Sequence, residues 1–514
     1  MTLTSPVHEE KQPLHDRCGI VAAFSAHDIP FFDTGLWALQ KLQTRGYDGA
    51  GFWACDSDGR TVEYKGEGMV REVFTPTVLK LYSRIQACVW IYQVRYGTQG
   101  NFSFQNVQPV AMRHNENREL FCVAHNGQFS TVSPADDLES DTVSFAKELA
   151  CIEGVDWDGR IGKLLLKKSG AWSMVIGTKD GLYLARDAYG FRPLVYGHLL
   201  NGSAKQPIWV VASETGALEA AGINQFLELT PGNIAKITAH GLKVLHEHPK
   251  VARAHCIFEN IYIHEGSSRA HLPRSNARHI NSTQTVDDFR RRCGKILARE
   301  APLTKSQVDM VIGVPGTGIE GGMSYARALD LPYFQAFTDK DNSYVEQRTF
   351  MTSHIDKIYQ KVLEHFTFDA QTLQGRKVVL VDDSIVRGNI TKGLIYLLKK
   401  MYQVVEVHIR VLSPPIDKAC HLGVNTRKSH ELIAAQHGGD VDKIRDVLSA
   451  DSLVYMSPPG LREALTGNKY ARGFCMGCMV GFRPPIDRHG MPATSVRKRR
   501  FKLEGNEKVI HHAV

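Results

Sequence analysis

Two adjacent acids, Asp382 and Asp383, end the short branched apolar run Lys377 to Val381. A loop of small polar residues follows, Ser384 to Thr391, and a helical pattern then runs from Gly393 to Tyr402. Strand, acidic turn and helix in that order suit a phosphate ester. Ligands of open α/β sheets bind beyond the carboxyl ends of strands. Free N–H groups at a helix N-terminus favour a phosphate dianion, and Ser384, Asn389 and Thr391 add donors. The two carboxylates would repel a phosphate, so they suit ribose hydroxyls or a Mg²⁺ that offsets their charge. A plain strand end before a capped helix is the competing reading of a bare acid pair.

Cys18 is the second candidate. It opens CGIVAAF, which reads as a strand. A thiol becomes a nucleophile only with a base to help it, and the nearest histidine, His15, lies in a polar leader. The other available base is the α-amino group of Cys18 itself, with a reference pKa near ~8. That route requires removal of residues 1–17. Alone, Cys18 reads as a buried strand thiol. Later segments add to it. LQTRGYDGAGF (42–52) is a Gly-punctuated turn with Arg45 and Asp48, and VRYGTQG (94–100) carries Arg95 and Thr98. In AHNGQFS (124–130), Asn126 and Gly127 can offer a side-chain and a backbone N–H to an oxyanion. Asp141, in ESDTVSF, is a free acid ahead of a helix. A nucleophile, oxyanion donors, a cation for a carboxylate and an acid for an ammonium are what an amino-acid amide needs.

A chain of 514 residues has room for two to four domains with their own cores. With 43% apolar and 23% charged residues, it has the composition of a soluble globular enzyme. No apolar run approaches the ~20 residues of a membrane span. The first seventeen residues lack an apolar core, so they are no secretory signal. Ten dispersed cysteines do not make a disulfide scaffold, so the expected compartment is the cell interior, and the expected localisation cytoplasmic. The net charge of +8 owes part to the tail VRKRRFK, read as a solvated face in preference to a nucleic-acid contact.

DDSIVRGNIT (382–391) resembles the phosphoribosyl pyrophosphate (PRPP) fingerprint of type I phosphoribosyltransferases, and the segments around Cys18 resemble N-terminal-nucleophile glutamine amidotransferases. From Cys18 to about Pro484 the chain is similar to the amidophosphoribosyltransferase family. GAWSMVI (170–176), ARDAYGFRPL (185–194) and VASETGALE (211–219) match that family's later strands in order. RGYDGAG is nearer the glucosamine-6-phosphate synthase form, but that family carries sugar-isomerase domains in place of DDSIVRG.

The resemblance implies an α+β unit followed by an α/β unit. Residues 18–255 would form an αββα sandwich, 256–460 a parallel-sheet phosphoribosyltransferase domain, and 461–514 a C-terminal segment, with leader 1–17 removed. It implies Cys18 as nucleophile, Asn126 and Gly127 as oxyanion hole, Arg95 on the glutamine carboxylate and Asp141 on its α-amino group. PRPP would meet Asp382, Asp383, Ser384, Arg387, Gly388, Asn389 and Thr391, with Lys340 and Arg348 on the pyrophosphate side and Mg²⁺ at Thr317, Asp382 and Asp383. The implied reaction makes 5-phosphoribosylamine, glutamate and pyrophosphate, the opening step of purine synthesis. The implied assembly is a homo-oligomer, dimer or tetramer, with purine-nucleotide effectors.

Several positions depart from the family pattern. Gln93 stands for a His, Gly97 for a Ser, Gln128 for an Asn and Val143 for a Glu. Gly316 lacks the acid of the family's VPDSG turn, although Thr317 keeps the hydroxyl. DKDNSYVEQRTF (339–350) aligns only across an insertion, and residues 351–366 lack the arginines of the family's closing loop. An amidotransferase aminating another phosphosugar, or a PRPP or nucleotide sensor without turnover, are the rival readings.

Cysteines give a separate signal. Cys475 and Cys478 form a CxxC, which on residue type alone is zinc, a redox pair or nothing. With Cys256 and Cys420 they match the positions that ligate a [4Fe–4S] cluster in one leader-bearing branch of the family, and thiolate quartets suit Zn²⁺ as well. Cys55, Cys88, Cys122, Cys151 and Cys293 read as ordinary buried thiols.

Overall fold

The computed structural model describes residues 18–96, 104–116, 118–130, 139–154, 156–200, 207–248, 253–269, 284–339, 362, 366–420, 422–424, 426, 428–470 and 472–481. The leader, Thr98, Lys340, Arg348 and the basic tail lie outside them.

Cys18 leads into the strand Gly19–Ile29, which is apolar on both faces because both are covered. Ile20, Ala22 and Phe24 face one cluster, shared with Trp53, Val89, Ile91, Ala124, Val175 and Leu184. Val21 and Ala23 face another, shared with Phe32, Leu36 and Leu39 of the helix Phe32–Gln40. This strand is the fourth of seven in an antiparallel sheet, between Pro207–Ala212 and Ala87–Arg95. A second, six-stranded sheet has Leu120–Phe129 paired antiparallel with Gly170–Thr178. The helices Asp141–Cys151 and Trp157–Leu165 cover its outer face. Helix, sheet, sheet, helix is the expected αββα layering.

The second half is built on four parallel strands, Met310–Gly313, Lys377–Asp382, Glu406–Val411 and Ser452–Tyr455, adjacent in chain order. Val378 and Leu380 pack with Leu394, Leu397 and Leu398 of the helix Asn389–Lys400. Val379 and Val381 pack on the other face with Phe289, Leu297 and Tyr325. Four consecutive side chains are thus fully buried, at roughly 2 kcal/mol each. That two-sided burial is why KVVLV shows no alternation.

Four expectations are corrected. The helix after the acid pair starts at Asn389 and not at Gly393, because Gly388 turns the chain in the left-handed region (φ 77°). Asn126 and Gly127 lie within the strand Leu120–Phe129 and do not follow it. Asp141 is the first residue of its helix, capped by Ser140, and is not a free acid. Cys151, the last residue of that helix, is exposed, while Cys55, Cys88, Cys122 and Cys293 are buried.

Between the halves, His255–Cys256 pairs in parallel with Phe474–Cys475, and a π-helical turn, Glu259–Ile263, follows. Among the described residues no helix is long and apolar enough to cross a membrane.

Candidate active sites

Strand periodicity gathers the first site. Side chains two apart share a face, so Cys18 continues the row of Ile20 and Ala22, Gln93 and Arg95 continue that of Val89 and Ile91, and Asn126 continues that of Ala124. All four point into one end of the gap between the sheets. Burial pushes the Cys18 thiol up. The Tyr96 backbone, Arg95 and the Gln93 side chain oppose that, and Asp141 adds to it. Arg45 Nε donates to the Cys18 carbonyl at 3.1 Å.

The polar atoms around Cys18 are under-used. Among the described residues, both amide atoms of buried Asn126 and Nη1 of buried Arg95 have no hydrogen-bond partner. Each such group costs roughly 1–3 kcal/mol unless a ligand or water satisfies it. Gly127 has φ +129°, and a Cβ there would stand 2.1 Å from the Ala171 carbonyl oxygen. Only glycine fits. Asp141 Oδ2 accepts the Phe129 N–H at 3.1 Å, and Oδ1 lies 3.7 Å from His125 Nδ1. Burial alone would raise this carboxyl, but His125 and the backbone donors of Phe129 and Thr142 hold it below the usual range. The arrangement is a thiol flanked by a cation, a carboxylate and an open amide.

At the second site Asp383 is clasped by two hydroxyls: Thr317 Oγ1 donates to Oδ2 and Ser384 Oγ to Oδ1. The Asp383 N–H donates to Asp382 Oδ1 at 2.8 Å. Burial, and then the neighbouring Asp383 carboxylate, raise Asp382 well above the usual range. A buried pair of acids with too little compensation fits hydroxyl donors or a divalent cation brought with a phosphate ligand. Thr317, Asp382, Asp383 and Ser384 therefore come together as expected, and Thr391 is buried in the helix's first turn. Arg387 is turned toward Glu431, with Nη2 at 2.7 Å and Nε at 3.1 Å from Oε2. With Gly388, Asn389, Lys392 and Gln436 it lines an adjoining cavity of about 140 Å³.

The four cysteines singled out as a quartet converge from three segments. Cys256 and Cys475 are register partners. The Cys478 carbonyl accepts the N–H groups of Asp417 and Lys418, each at 3.1 Å, and Cys420 Sγ accepts the Leu422 N–H at 3.4 Å. Burial foremost, then Cys420, Cys256 and Cys475, push the Cys478 thiol up. All are free thiols. No group of three or more His, Cys, Asp or Glu among the described residues is arranged to hold an ion. The donor chemistry of the quartet fits a thiolate-bound group, while its side chains are not gathered into a finished ligand shell.

The amidophosphoribosyltransferases of Synechococcus elongatus and Bacillus subtilis are each 32% identical to this chain, covering 91% and 92% of it and 91% and 95% of their own lengths. The chain belongs to the amidophosphoribosyltransferase family. The human amidophosphoribosyltransferase is also 32% identical, over 88% of this chain and 89% of its own. The solved B. subtilis glutamine PRPP amidotransferase, complexed with ADP and GMP, superimposes with a TM-score of 0.77 at 29% identity, covering 91% of this chain and 97% of that one. No family model matches the chain.

Within this amidophosphoribosyltransferase, three residues given no role from sequence lie in contact with the residues of the first site. Gln93 bonds the His125 backbone in both directions, His125 supports Asp141, and Arg45 grips the Cys18 backbone. Adjacency to Asn126 was the only signal for His125, and a position inside the Gly-rich turn the only one for Arg45.

Proposed function

We propose that this protein transfers the amide nitrogen of glutamine to C1 of PRPP, giving 5-phosphoribosylamine, glutamate and pyrophosphate, the first step of de novo purine synthesis. The carrying observation is the set of buried, unpartnered polar atoms of Asn126 and Arg95 around Cys18.

Leader removal makes Cys18 the first residue, and its α-amino group takes the thiol proton. The thiolate adds to the glutamine side-chain carbonyl carbon. Arg95 binds the substrate carboxylate and Asp141 its ammonium. The Asn126 side-chain N–H and the Gly127 N–H receive the oxyanion. Ammonia leaves, and water then releases glutamate from the thioester. In the other half Asp382 and Asp383 orient ribose hydroxyls, and the loop Ser384 to Thr391 faces the 5-phosphate. Thr317, Asp382 and Asp383 would hold a Mg²⁺, which when bound would offset the pyrophosphate charge. Ammonia attacks C1 and pyrophosphate departs. Lys340 and Arg348 belong to its pyrophosphate side.

Cys256, Cys420, Cys475 and Cys478 would hold a [4Fe–4S] cluster, or alternatively Zn²⁺. When bound, it supplies a structural tie between the C-terminal segment and the joint. On this reading the chain falls in the leader-bearing, iron–sulfur branch. A cytoplasmic homo-oligomer, dimer or tetramer, with purine-nucleotide effectors completes the reading. A transferase for another phosphosugar is the second reading, favoured by Gly316, which has φ +84° and stands where the family's turn carries an acid.

Glutamate release by anaerobically purified protein, with and without Mg–PRPP, tests the assignment. Strong stimulation by PRPP is expected. Release indifferent to PRPP would transfer support to the second reading.

A further inference from the structure

Arg45 has three partners. Nε donates to the Cys18 carbonyl at 3.1 Å, Nη1 pairs with Glu214 at 2.5 Å, and Nη2 pairs with Glu259 at 2.9 Å. Glu259 is shared, for its other oxygen accepts from Arg192 Nη1 at 2.7 Å. All four side chains are at most 3% exposed. Burial would raise the Glu259 carboxyl, but Arg45 and Arg192 hold it far below the usual range. Removing one member of such a set leaves a buried charge uncompensated.

Glu259 also opens the π-helical turn Glu259–Ile263. Turns of this kind are rare and collect at functional sites. Arg290, on the helix Val286–Glu300, donates to the carbonyls of Ile261 (3.3 Å) and His264 (2.9 Å). Its Nη1 pairs with Asp287 at 3.3 Å. One turn is thus held at its start to the Cys18 backbone and at its end to a buried guanidinium.

We propose that Glu259 is a positioning residue for amide transfer. It anchors Arg45 against the backbone of Cys18, and it places that anchor on the turn whose far end Arg290 holds. The inference rests on the reading of Cys18 as nucleophile. On this proposal Glu259 acts on the reaction through Arg45.

The test is Glu259→Gln in the full-length protein. Glutamate release from glutamine is measured beside 5-phosphoribosylamine formation from ammonium ions, which bypasses Cys18. Glutamine kcat should fall about 100-fold, the scale that a misplacement of roughly 1 Å costs an oriented group. The glutamine KM and ammonium-dependent turnover should change little. Equal losses in both reactions would reduce Glu259 to a structural role and overturn the proposal, as would unchanged glutamate release. Should E259Q fail to fold, R45K decides by the same split, because one ammonium cannot reach three acceptors that a guanidinium fork spans. A wild-type protein that releases glutamate but never consumes PRPP with ammonium would overturn the transferase reading alone. Glutamate release set against the unfolding midpoint would then still decide the role of Glu259.

Discussion

Gln93 and His125 are joined by two hydrogen bonds across the gap between the sheets: Gln93 Nε2 donates to the His125 carbonyl at 2.7 Å, and the His125 N–H donates to Gln93 Oε1 at 3.2 Å. The same amide side chain is one of the groups that lower the Cys18 thiol against the effect of burial. A glutamine therefore links the strand under the nucleophile to the strand that carries Asn126.

Gln93→Leu keeps the volume and removes both bonds. The His125 N–H retains Gln108 Oε1 at 3.0 Å, but its carbonyl loses the Gln93 donor. The expected loss is about 1–3 kcal/mol in urea unfolding, the cost of one buried unsatisfied group. Cys18 should also react more slowly with iodoacetamide, since its thiolate loses a donor. Unchanged stability and labelling would show that Gln93 supports neither partner.

Gly127→Ala tests the oxyanion assignment. The new Cβ would meet the Ala171 carbonyl oxygen at 2.1 Å in a conformation L-residues rarely adopt, so the backbone N–H must move. Loss of one oxyanion donor costs on the order of 10²–10³ in kcat. Glutamate release should fall by that factor while ammonium-dependent turnover persists. Wild-type glutamate release from G127A would remove Gly127 from the mechanism.

The parts of this architecture that were legible in sequence are those where one residue type admits one local conformation. KVVLVDD gave a two-face-buried strand ending in acids, and HNG gave an amide beside a glycine that nothing else can replace. The helix start was misplaced by four residues because the capping device is a left-handed Gly388, not a side-chain cap. Arg45, Glu214, Glu259 and Arg192 were opaque for a different reason. Their meaning lies in pairings across separations such as |i−j| = 214, which no local pattern encodes. Burial of four charges becomes intelligible only once their partners are in place.

Thr317→Val removes a hydroxyl donor from Asp383 without changing shape. A hydrogen bond to a charged group is worth about 1.5–3 kcal/mol, so the PRPP KM in the ammonium-dependent assay should rise at least about tenfold. Glutamate release without PRPP should be unaffected. A PRPP KM left at the wild-type value would show that Thr317 has no part in holding the acid pair for substrate.

Cys475→Ser removes the register partner of Cys256. If the four thiols hold a [4Fe–4S] cluster, anaerobic wild-type protein should contain iron and acid-labile sulfide in equal amounts, with visible absorbance that the variant lacks. Zinc without iron in the wild type would reject the cluster and keep the quartet. Neither metal in the wild type would reject both.

Asp187 supplies a pH dependence with a definite sign. It is buried, and its oxygens accept the N–H groups of Trp172 (3.2 Å), Tyr189 (3.0 Å) and Phe191 (3.0 Å). Burial nonetheless outweighs Arg186 and these donors and pushes the carboxyl up to about 6. The folded state therefore holds this proton more tightly than the unfolded chain, where an Asp titrates near ~3.9. Its contribution to stability is complete below about pH 4 and is lost as pH rises through about 6. Protonation held to that higher pH in the folded chain is worth about 3 kcal/mol. Asp187→Asn keeps an acceptor and cannot titrate. The stability of the wild type minus that of D187N, measured by denaturant unfolding, should decline by that amount between pH 4 and pH 7. A difference that stays flat over this range would mean that Asp187 is ionised throughout and that its three backbone donors outweigh its burial.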